Sequence, residues 1–327
     1  MTEAANTTVT QMRARKRFSF GEFVIEYAVV ILLALVLIAL AVLSPSFFTF
    51  GNIVNILNQN APLLIIAAAG TFVIISGNFD LSVGAIYGVA GVVSAWLAVA
   101  TDNVWLSLGA APIVGLALGA FNGTVITRLK VHSFLATLAS SMIFTTIAVL
   151  ITGGTLITVT TAGFTVLGRD RVGGIFIAIF VMVVAVAIFW VLLTRTVFGR
   201  KVFAVGGNPE AAELSGIHVN RTKIIVFTLS GLAAGVAAAI GVSRIASGQP
   251  LSGAGLELSS IAAVVLGGTS IYGGVGAVWR SLAGVLLIAL IGNGFDLMNL
   301  NPQLKDAVTG VIILAAVGLA AAGQKKR

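Results

Sequence analysis

Residues 174–194 read GIFIAIFVMVVAVAIFWVLLT, with no charged side chain in the run. A helix needs about 20 apolar residues to cross the hydrocarbon layer of a bilayer. This stretch meets that length by itself, with Arg171 before it and Arg195 behind it. Outward from it, comparable runs fall at about 24–43, 61–77, 81–100, 104–127, 132–152, 222–242, 255–272, 275–297 and 304–322. The fold class expected is therefore an all-α polytopic membrane protein with about ten transmembrane helices. Several runs are interrupted by Gly or Pro, so a short re-entrant helix can pass for a full span.

Composition agrees. Of 327 residues, 58% are hydrophobic and 9% charged, and the mean hydropathy is +1.09. A soluble domain carries about 25% charged residues. A soluble enzyme, a disordered chain and a nucleic-acid module are excluded. The chain has no cysteine. That removes disulfides, thiol catalysis and thiolate metal sites, and says nothing about redox compartment. The two histidines, His132 and His218, are far apart in sequence, so no metal centre is expected.

The net charge of +8 is a topological signal. With the N-terminus inside, the inner segments hold Arg13, Arg15, Lys16, Arg17, Arg128, Lys130, Arg195, Arg200, Lys201, Arg221, Lys223, Arg280, Lys325, Lys326 and Arg327. The outer segments hold Arg169, Arg171, Arg244 and Lys305. Fifteen against four is a strong positive-inside bias. It predicts a cytoplasmic tail at 1–23, one transmembrane domain over 24–322 with an inner loop at 195–221, and a cytoplasmic tail at 323–327. The run 24–43 is too long for a typical signal-peptide core, and no small-residue cleavage pattern follows it. It reads as an uncleaved first span.

The chain also resembles itself. Displaced by 171 residues, Ala67, Ala68, Gly70, Ile74, Ser76, Gly77 and Gly84 meet Ala238, Ala239, Gly241, Ile245, Ser247, Gly248 and Gly255. Seven identities in 18 positions compare with about two by chance at this composition. Asn78 meets Gln249, and Asn122-Gly123 meets Asn293-Gly294. The second span thus falls on the seventh and the fourth on the ninth. Because five is odd, the halves run in opposite directions, a 5+5 inverted repeat of the kind found in transporters. Packing alone also favours small residues: Gly84-x3-Gly88, Gly115-x3-Gly119-x3-Gly123 and Gly231-x3-Gly235 each put glycines on one helix face and let backbones approach.

The inner loop 195–221 carries Gly206-Gly207-Asn208-Pro209-Glu210-Ala211-Ala212-Glu213-Leu214-Ser215-Gly216-Ile217. Asn208 is a good N-cap, Pro209 suits the first helical position, and Glu210 complements the positive end of the helix dipole. Gly216 is a typical stop. The resulting helix is about seven residues long, too short to stand alone. With Ala and Leu on one face, it has the form of a docking element.

Here a family resemblance enters. Glu210-Ala211-Ala212-x3-Gly216 resembles the E-A-A-x3-G loop of permease subunits in ABC importers, and its extended form resembles the ribose-type monosaccharide permeases. Gly77-Asn78-Phe79-Asp80-Leu81-Ser82-Val83-Gly84 is similar to the family's G-x-x-D-L-S-V-G signature. Leu266-Gly267-Gly268-Thr269-Ser270 and Gly273-Gly274-Val275-Gly276 are similar to its L-G-G-T-S and G-G-x-G patterns. Asn78-Phe79 departs from the more usual Gly-Ile, which bears on the pathway. The resemblance implies a bacterial inner-membrane permease that works as a homodimer. It also implies a cytoplasmic ATP-binding subunit and an extracytoplasmic sugar-binding protein as partners. The chain has no G-x4-G-K-[ST] phosphate loop, so ATP and Mg belong to a separate chain. No cofactor is expected here. Lipid is the surrounding partner and nucleic acid is not one.

Under this resemblance, residues 208–216 are the coupling element. The pathway candidates are Asn58, Gln59, Asn60, Asn78, Phe79, Asp80, Asn122, Ser247, Gln249 and Asn293. A neutral sugar needs hydrogen bonds and no counter-ion, so the pathway is expected at the dimer axis or between the repeats, lined by small and polar groups rather than charges. Each candidate has a bland reading. Asp80 orients the inner mouth, or it caps the third span in contact with water. Asn58, Gln59 and Asn60 bond sugar hydroxyls, or form an interfacial segment. Asn122 and Asn293 serve transport, or bond between helices. Glu257, Asp296 and Asp306 read as solvated outer residues, His132 and His218 as surface residues, and Arg169-Asp170-Arg171 as an external turn. An amino-acid permease is the alternative substrate class. An ion-coupled carrier would need ionisable groups deep in the bundle and would leave the 208–216 helix unexplained. An intramembrane enzyme lacks a clustered nucleophile, base and metal set.

Overall fold

The computed structural model describes residues 28–301 and, beyond them, positions 304, 307, 308, 310, 311 and 314. The tails 1–23 and 323–327 lie outside the described residues, as do most of the run 304–322 and Asp306 within it.

In chain order the helices are α1 (Ala28–Leu43), α2 (Phe50–Ile75), α3 (Val83–Thr101), α4 (Val104–Leu129), α5 (Ser133–Thr152), α6 (Val166–Arg169), α7 (Ile177–Arg195), α8 (Val197–Gly207), α9 (Pro209–Leu214), α10 (Val219–Ile245), α11 (Leu256–Leu266) and α12 (Val278–Leu297). Four two-residue strands, β1 (Ile157–Thr158), β2 (Arg171–Val172), β3 (Ile175–Phe176) and β4 (Ser247–Gly248), form the antiparallel pairs β1–β4 and β2–β3. The fold is all-α and polytopic. Among the described residues seven helices are long and apolar enough to cross a membrane: α2, α3, α4, α5, α7, α10 and α12.

Burial sorts them. The most apolar 18 residues of α2 are 83% inside the molecule, against 22% for α5. Large apolar side chains such as Leu135, Met142 and Leu150 on α5, and Val183, Val184 and Ile188 on α7, face outward. Such continuous apolar faces fit lipid and not water.

The glycine faces do what their spacing predicts. Helices α4 and α10 run antiparallel, with Ala111 against Gly235, Gly115 against Gly231 and Gly123 against Ile224. A Cβ at Gly115 would overlap the Gly231 carbonyl oxygen, and a Cβ at Gly231 would overlap that of Gly115. Helix α10 is also antiparallel to α2: Arg244, at its end, reaches the Asn58 carbonyl near the start of α2. Helix α12 is antiparallel to α2 as well, through the Asn52–Asn293 and Thr71–Ser281 bonds.

Three expectations change. The run 61–77 is the inner part of α2, which starts at Phe50 and carries Pro62 within it. The loop 195–221 holds two helices, because Thr196 caps α8 before Asn208 caps α9. The run 255–272 is not one span: α11 has 11 residues. It is preceded by residues 246–255, which lie along α3, with Gly248 against Val92 and Ala95, Pro250 against Gly88 and Gly253 against Gly84. Turn bonds from Ser252 N–H to Gln249 O (3.2 Å) and from Ala254 N–H to Leu251 O (3.1 Å) keep this backbone paired. Non-helical backbone in a membrane bundle is tolerated where it packs on protein or lines a water-filled cavity.

A second, shorter break, residues 76–82, joins α2 to α3. The 171-residue displacement carries 76–84 onto 247–255, so the matching stretches run from within α2 and α10 into the residues that follow them.

Candidate functional site

The segment between α8 and α10 has its ends defined by local chemistry. The Asn208 side chain accepts from Ala211 N–H at 3.0 Å and Pro209 occupies the first turn. At the other end Gly216 has φ +82°. Its N–H donates to Glu213 O (2.9 Å), and Ile217 N–H donates to Ala212 O (3.0 Å). These two bonds are a Schellman stop, which needs the left-handed residue that glycine supplies. Ala212 is buried, while Glu210, Ala211, Glu213 and Ser215 are exposed and Leu214 is 91% exposed. An isolated leucine this bare on a six-residue helix has nothing of this chain to pack on.

The same stop ends two other helices. After α2, Gly77 (φ +74°) and Asn78 donate to Ile74 O and Val73 O. After α11, Gly268 (φ +83°) and Thr269 donate to Val265 O and Val264 O. The glycines of the G-x-x-D-L-S-V-G and L-G-G-T-S stretches therefore have a concrete task.

The pathway candidates fall into three places. The first is the break 76–82. The buried Asp80 carboxylate accepts from Ser82 N–H (3.0 Å) and Ser82 Oγ (2.5 Å) with one oxygen, and from Ser230 Oγ of α10 (2.8 Å) with the other. Asn122 Nδ2 of α4 donates to Ser82 Oγ at 2.7 Å. Phe79 N–H donates to Ser133 Oγ and Leu81 N–H to Thr137 Oγ1, both on α5. The Asn78 amide folds back on Ser76. Asp80 is thus not a water-exposed cap: α3 begins after Ser82, and Asp80 ties the break to α10. Beside it lies a cavity of about 10 Å³ between Gly70, Ser230 and Ser260, about one water in size.

The second place is the opposite end of α2. A cavity of about 490 Å³ is walled by Gln59 and Asn60 of α2, Arg244 of α10, and Asn293 and Asp296 of α12. Pro62 lacks the N–H that would bond Asn58 O. Arg244 Nη1 turns to that carbonyl (3.4 Å) and to Gln59 O (3.1 Å). Asn58 itself is buried and donates to Gly168 O. Asn58, Gln59 and Asn60 lie within α2, ahead of its proline. Asn293 exchanges two hydrogen bonds with Asn52 (2.9 and 3.0 Å), the interhelical role its residue type allows. Two charges, Arg244 and Asp296, stand in this wall, where only small and polar groups were expected.

The third place holds Ser247 and Gln249, in the break 246–255. Ser247 is buried in β4 opposite Thr158, and Gln249 is exposed. Neither lines the larger cavity. Glu257 also departs from expectation: it lies at the start of α11 against Gly84 and accepts from Gly255 N–H, away from any outer helix end.

Sequence reading missed Asn52, Ser133, Thr137, Ser230 and Arg244. Only Arg244 left a signal, since the proline at 62 frees a carbonyl four residues earlier. Among the described residues no group of three or more His, Asp or Glu side chains stands together to hold a metal ion.

A bundle of long apolar helices with one span broken by a non-helical stretch that lies along α3, a polar cavity at one end and a bare capped helix on the connection before α10 is the build of a multi-pass membrane transport protein. Comparison with known proteins agrees: residues 52–317 match the family described as branched-chain amino acid transport system / permease component, and the chain belongs to it. It is a transport permease and not an enzyme. It is 38% identical over 303 residues to the L-arabinose transport system permease protein of Escherichia coli (strain K12), covering 93% of this chain and 92% of the relative. The ribose import permease protein of Bacillus subtilis (strain 168) is 40% identical over 313 residues, 93% of this chain and 95% of the relative. The D-allose transport system permease protein of Escherichia coli (strain K12) is 34% identical over 307 residues, with 93% and 94% covered. No solved structure matches the chain.

Proposed function

We propose that the chain is the membrane-spanning permease of an ATP-driven importer for a monosaccharide, delivered by an extracytoplasmic binding protein. The substrate class rests on its relatives, which carry the names of pentose and hexose permeases over nearly their whole length. They favour a sugar over the amino acid in the family's description.

The observation that carries the coupling reading is α9, a helix capped at both ends whose Leu214 is 91% exposed. Residues 208–216 seat in a cleft of a separate cytoplasmic ATP-binding subunit, which holds ATP and Mg. The end of the molecule bearing α9 is then cytoplasmic, along with both termini. The broken span before α11, the antiparallel α2 and α10, and the 171-residue displacement support ten spans arranged as 5+5. Two copies form the translocating unit.

The cavity walled by Gln59, Asn60, Asn293, Arg244 and Asp296 opens at the end opposite α9. It is the outer vestibule of the pathway, where amide and charged groups offer hydrogen bonds to sugar hydroxyls. The network at Asn78, Phe79, Asp80 and Asn122 holds the inner break in place, and Ser247 and Gln249 line the second break.

The test is uptake and ATPase in proteoliposomes holding the permease, its ATP-binding subunit and its binding protein. ATP-dependent uptake that requires the binding protein is expected. Gradient-driven uptake by this chain alone would overturn the reading. Gly216→Pro should abolish stimulated ATPase in a correctly inserted protein, because it removes the left-handed stop and restricts Ser215. Glu210→Lys puts a cation at the positive helix end, which costs roughly 1 kcal/mol before any partner contact is lost.

A further inference from the structure

Just before α9 the chain passes through a close contact between glycine backbone and the last carbonyl of α2. Ile75 O, at the end of α2, accepts from Gly274 N–H at 2.8 Å, so the connection between α11 and α12 caps α2. Gly206, at the end of α8, lies directly on that carbonyl: a Cβ at Gly206 would overlap Ile75 O and stand 2.8 Å from Gly274 N. A Cβ at Gly273 would stand 2.7 Å from Gly206 O and 3.0 Å from Gly77 N, and one at Gly274 would stand 3.0 Å from Gly207 Cα. Gly273 and Gly274 have φ +88° and +72°, so of Gly206, Gly273 and Gly274 the last two are held to glycine by conformation as well as by space. The next residue after Gly207 is Asn208, the cap of α9.

Three segments that change direction thus share one contact: the end of α2 leading into the break 76–82, the α11–α12 connection, and the last turn of α8. Backbone meets backbone at Gly206, Ile75 and Gly274, while the Ile75 and Thr269 side chains pack beside Gly276. Close-packed backbone transmits a push where a flexible side chain would yield.

We infer that Gly206, Gly273 and Gly274 form the joint through which movement of α9 reaches the break 76–82 and the α11–α12 connection. They act as positioning residues for coupling. This rests on the reading that α9 docks on the ATP-binding subunit. Displacement of α9 then moves α8, and α8 shifts the Ile75–Gly274 contact, tilting α2 and the start of α12 together.

The absence of cysteine gives a clean background for the test in the reconstituted three-component complex. Glu213→Cys, cross-linked to a cysteine in the ATP-binding subunit, reports docking. Failure of that link in the otherwise unaltered permease would remove the docking reading, and the joint with it. With docking intact, Gly206→Ala should lower sugar transported per ATP hydrolysed about tenfold, the size of a typical coupling between sites. Gly207→Ala, where a Cβ meets nothing within 4 Å, should leave that ratio within about twofold. A double variant, Gly207→Cys with Val275→Cys, allows the joint to be tethered by a short bifunctional thiol reagent after the protein has folded. Tethering should stop uptake while the Glu213 link still forms in a parallel sample. Unchanged transport per ATP in an inserted, docked Gly206→Ala protein, or unchanged uptake after complete tethering, would overturn the joint.

Discussion

The two breaks, 76–82 and 246–255, occupy corresponding positions along the 171-residue displacement and are held in opposite ways. The first is bound by side chains: Asp80, Ser82, Asn122, Ser133, Thr137 and Ser230 hold it through hydrogen bonds. The second is bound by the lack of side chains: Gly248 and Gly253 let its backbone lie on α3, where Gly84 and Gly88 receive it. One break is thus stabilised by polar pairing and the other by close approach. The polar break is the kind that can be released, because hydrogen bonds exchange partners. The glycine contact resists any insertion of volume.

This contrast can be broken by substitution, and the largest effect should come from the glycine side. Gly253→Leu forces a side chain into the backbone of Gly84. Overpacking of this kind costs about 3 kcal/mol or more where the backbone must move. The melting temperature in detergent should fall steeply or the protein should fail to purify as one species. A stable, active Gly253→Leu permease would dissolve the comparison.

Asp80→Ala should come next. It strips the acceptor from Ser230 Oγ and from Ser82 N–H and Oγ, leaving buried donors unpaired at about 2–3 kcal/mol. The same thermal measurement checks it. Ser230→Ala removes one partner of the carboxylate and should cost about 1–2 kcal/mol. Comparing these two variants with the double variant gives the Asp80–Ser230 coupling directly. Purely additive losses would mean that the break is not tied to α10 at this point.

The smallest effect is expected at Glu257, beside the glycine contact. Glu257 is half-buried against Gly84, and Glu257→Gln keeps the shape and an acceptor for Gly255 N–H, so the loss should stay below about 1 kcal/mol. A large loss there would show that the second break also depends on a charge.

What was legible in the sequence was local or periodic. Asn208, Pro209, Glu210 and Gly216 specify a short helix by capping rules that act within one turn, and the structure has that helix. The spacing of Gly115, Gly119, Gly123, Gly231 and Gly235 marks packing faces. What was not legible was which faces meet. Gly77 and Gly268 stop helices as Gly216 does, but Gly268 lies inside the apolar run 255–272, where its turn reads as part of a continuous span.

The sequence alone therefore determined the class of protein, since no soluble core absorbs this much apolar surface, and it determined the capped helix α9, whose ends are set by neighbouring residues. The tertiary structure decided the rest. Residues 255–272 are apolar enough for a span, and it is the backbone of α3, presented through Gly84 and Gly88, that receives the non-helical turns of the preceding residues 246–255. Asp80 reads as a cap until Ser230, 150 residues away, supplies a bond that lets a carboxylate be buried. Both outcomes depend on partners distant in sequence. A charge or an unpaired backbone within a membrane protein is stable only when such partners meet it.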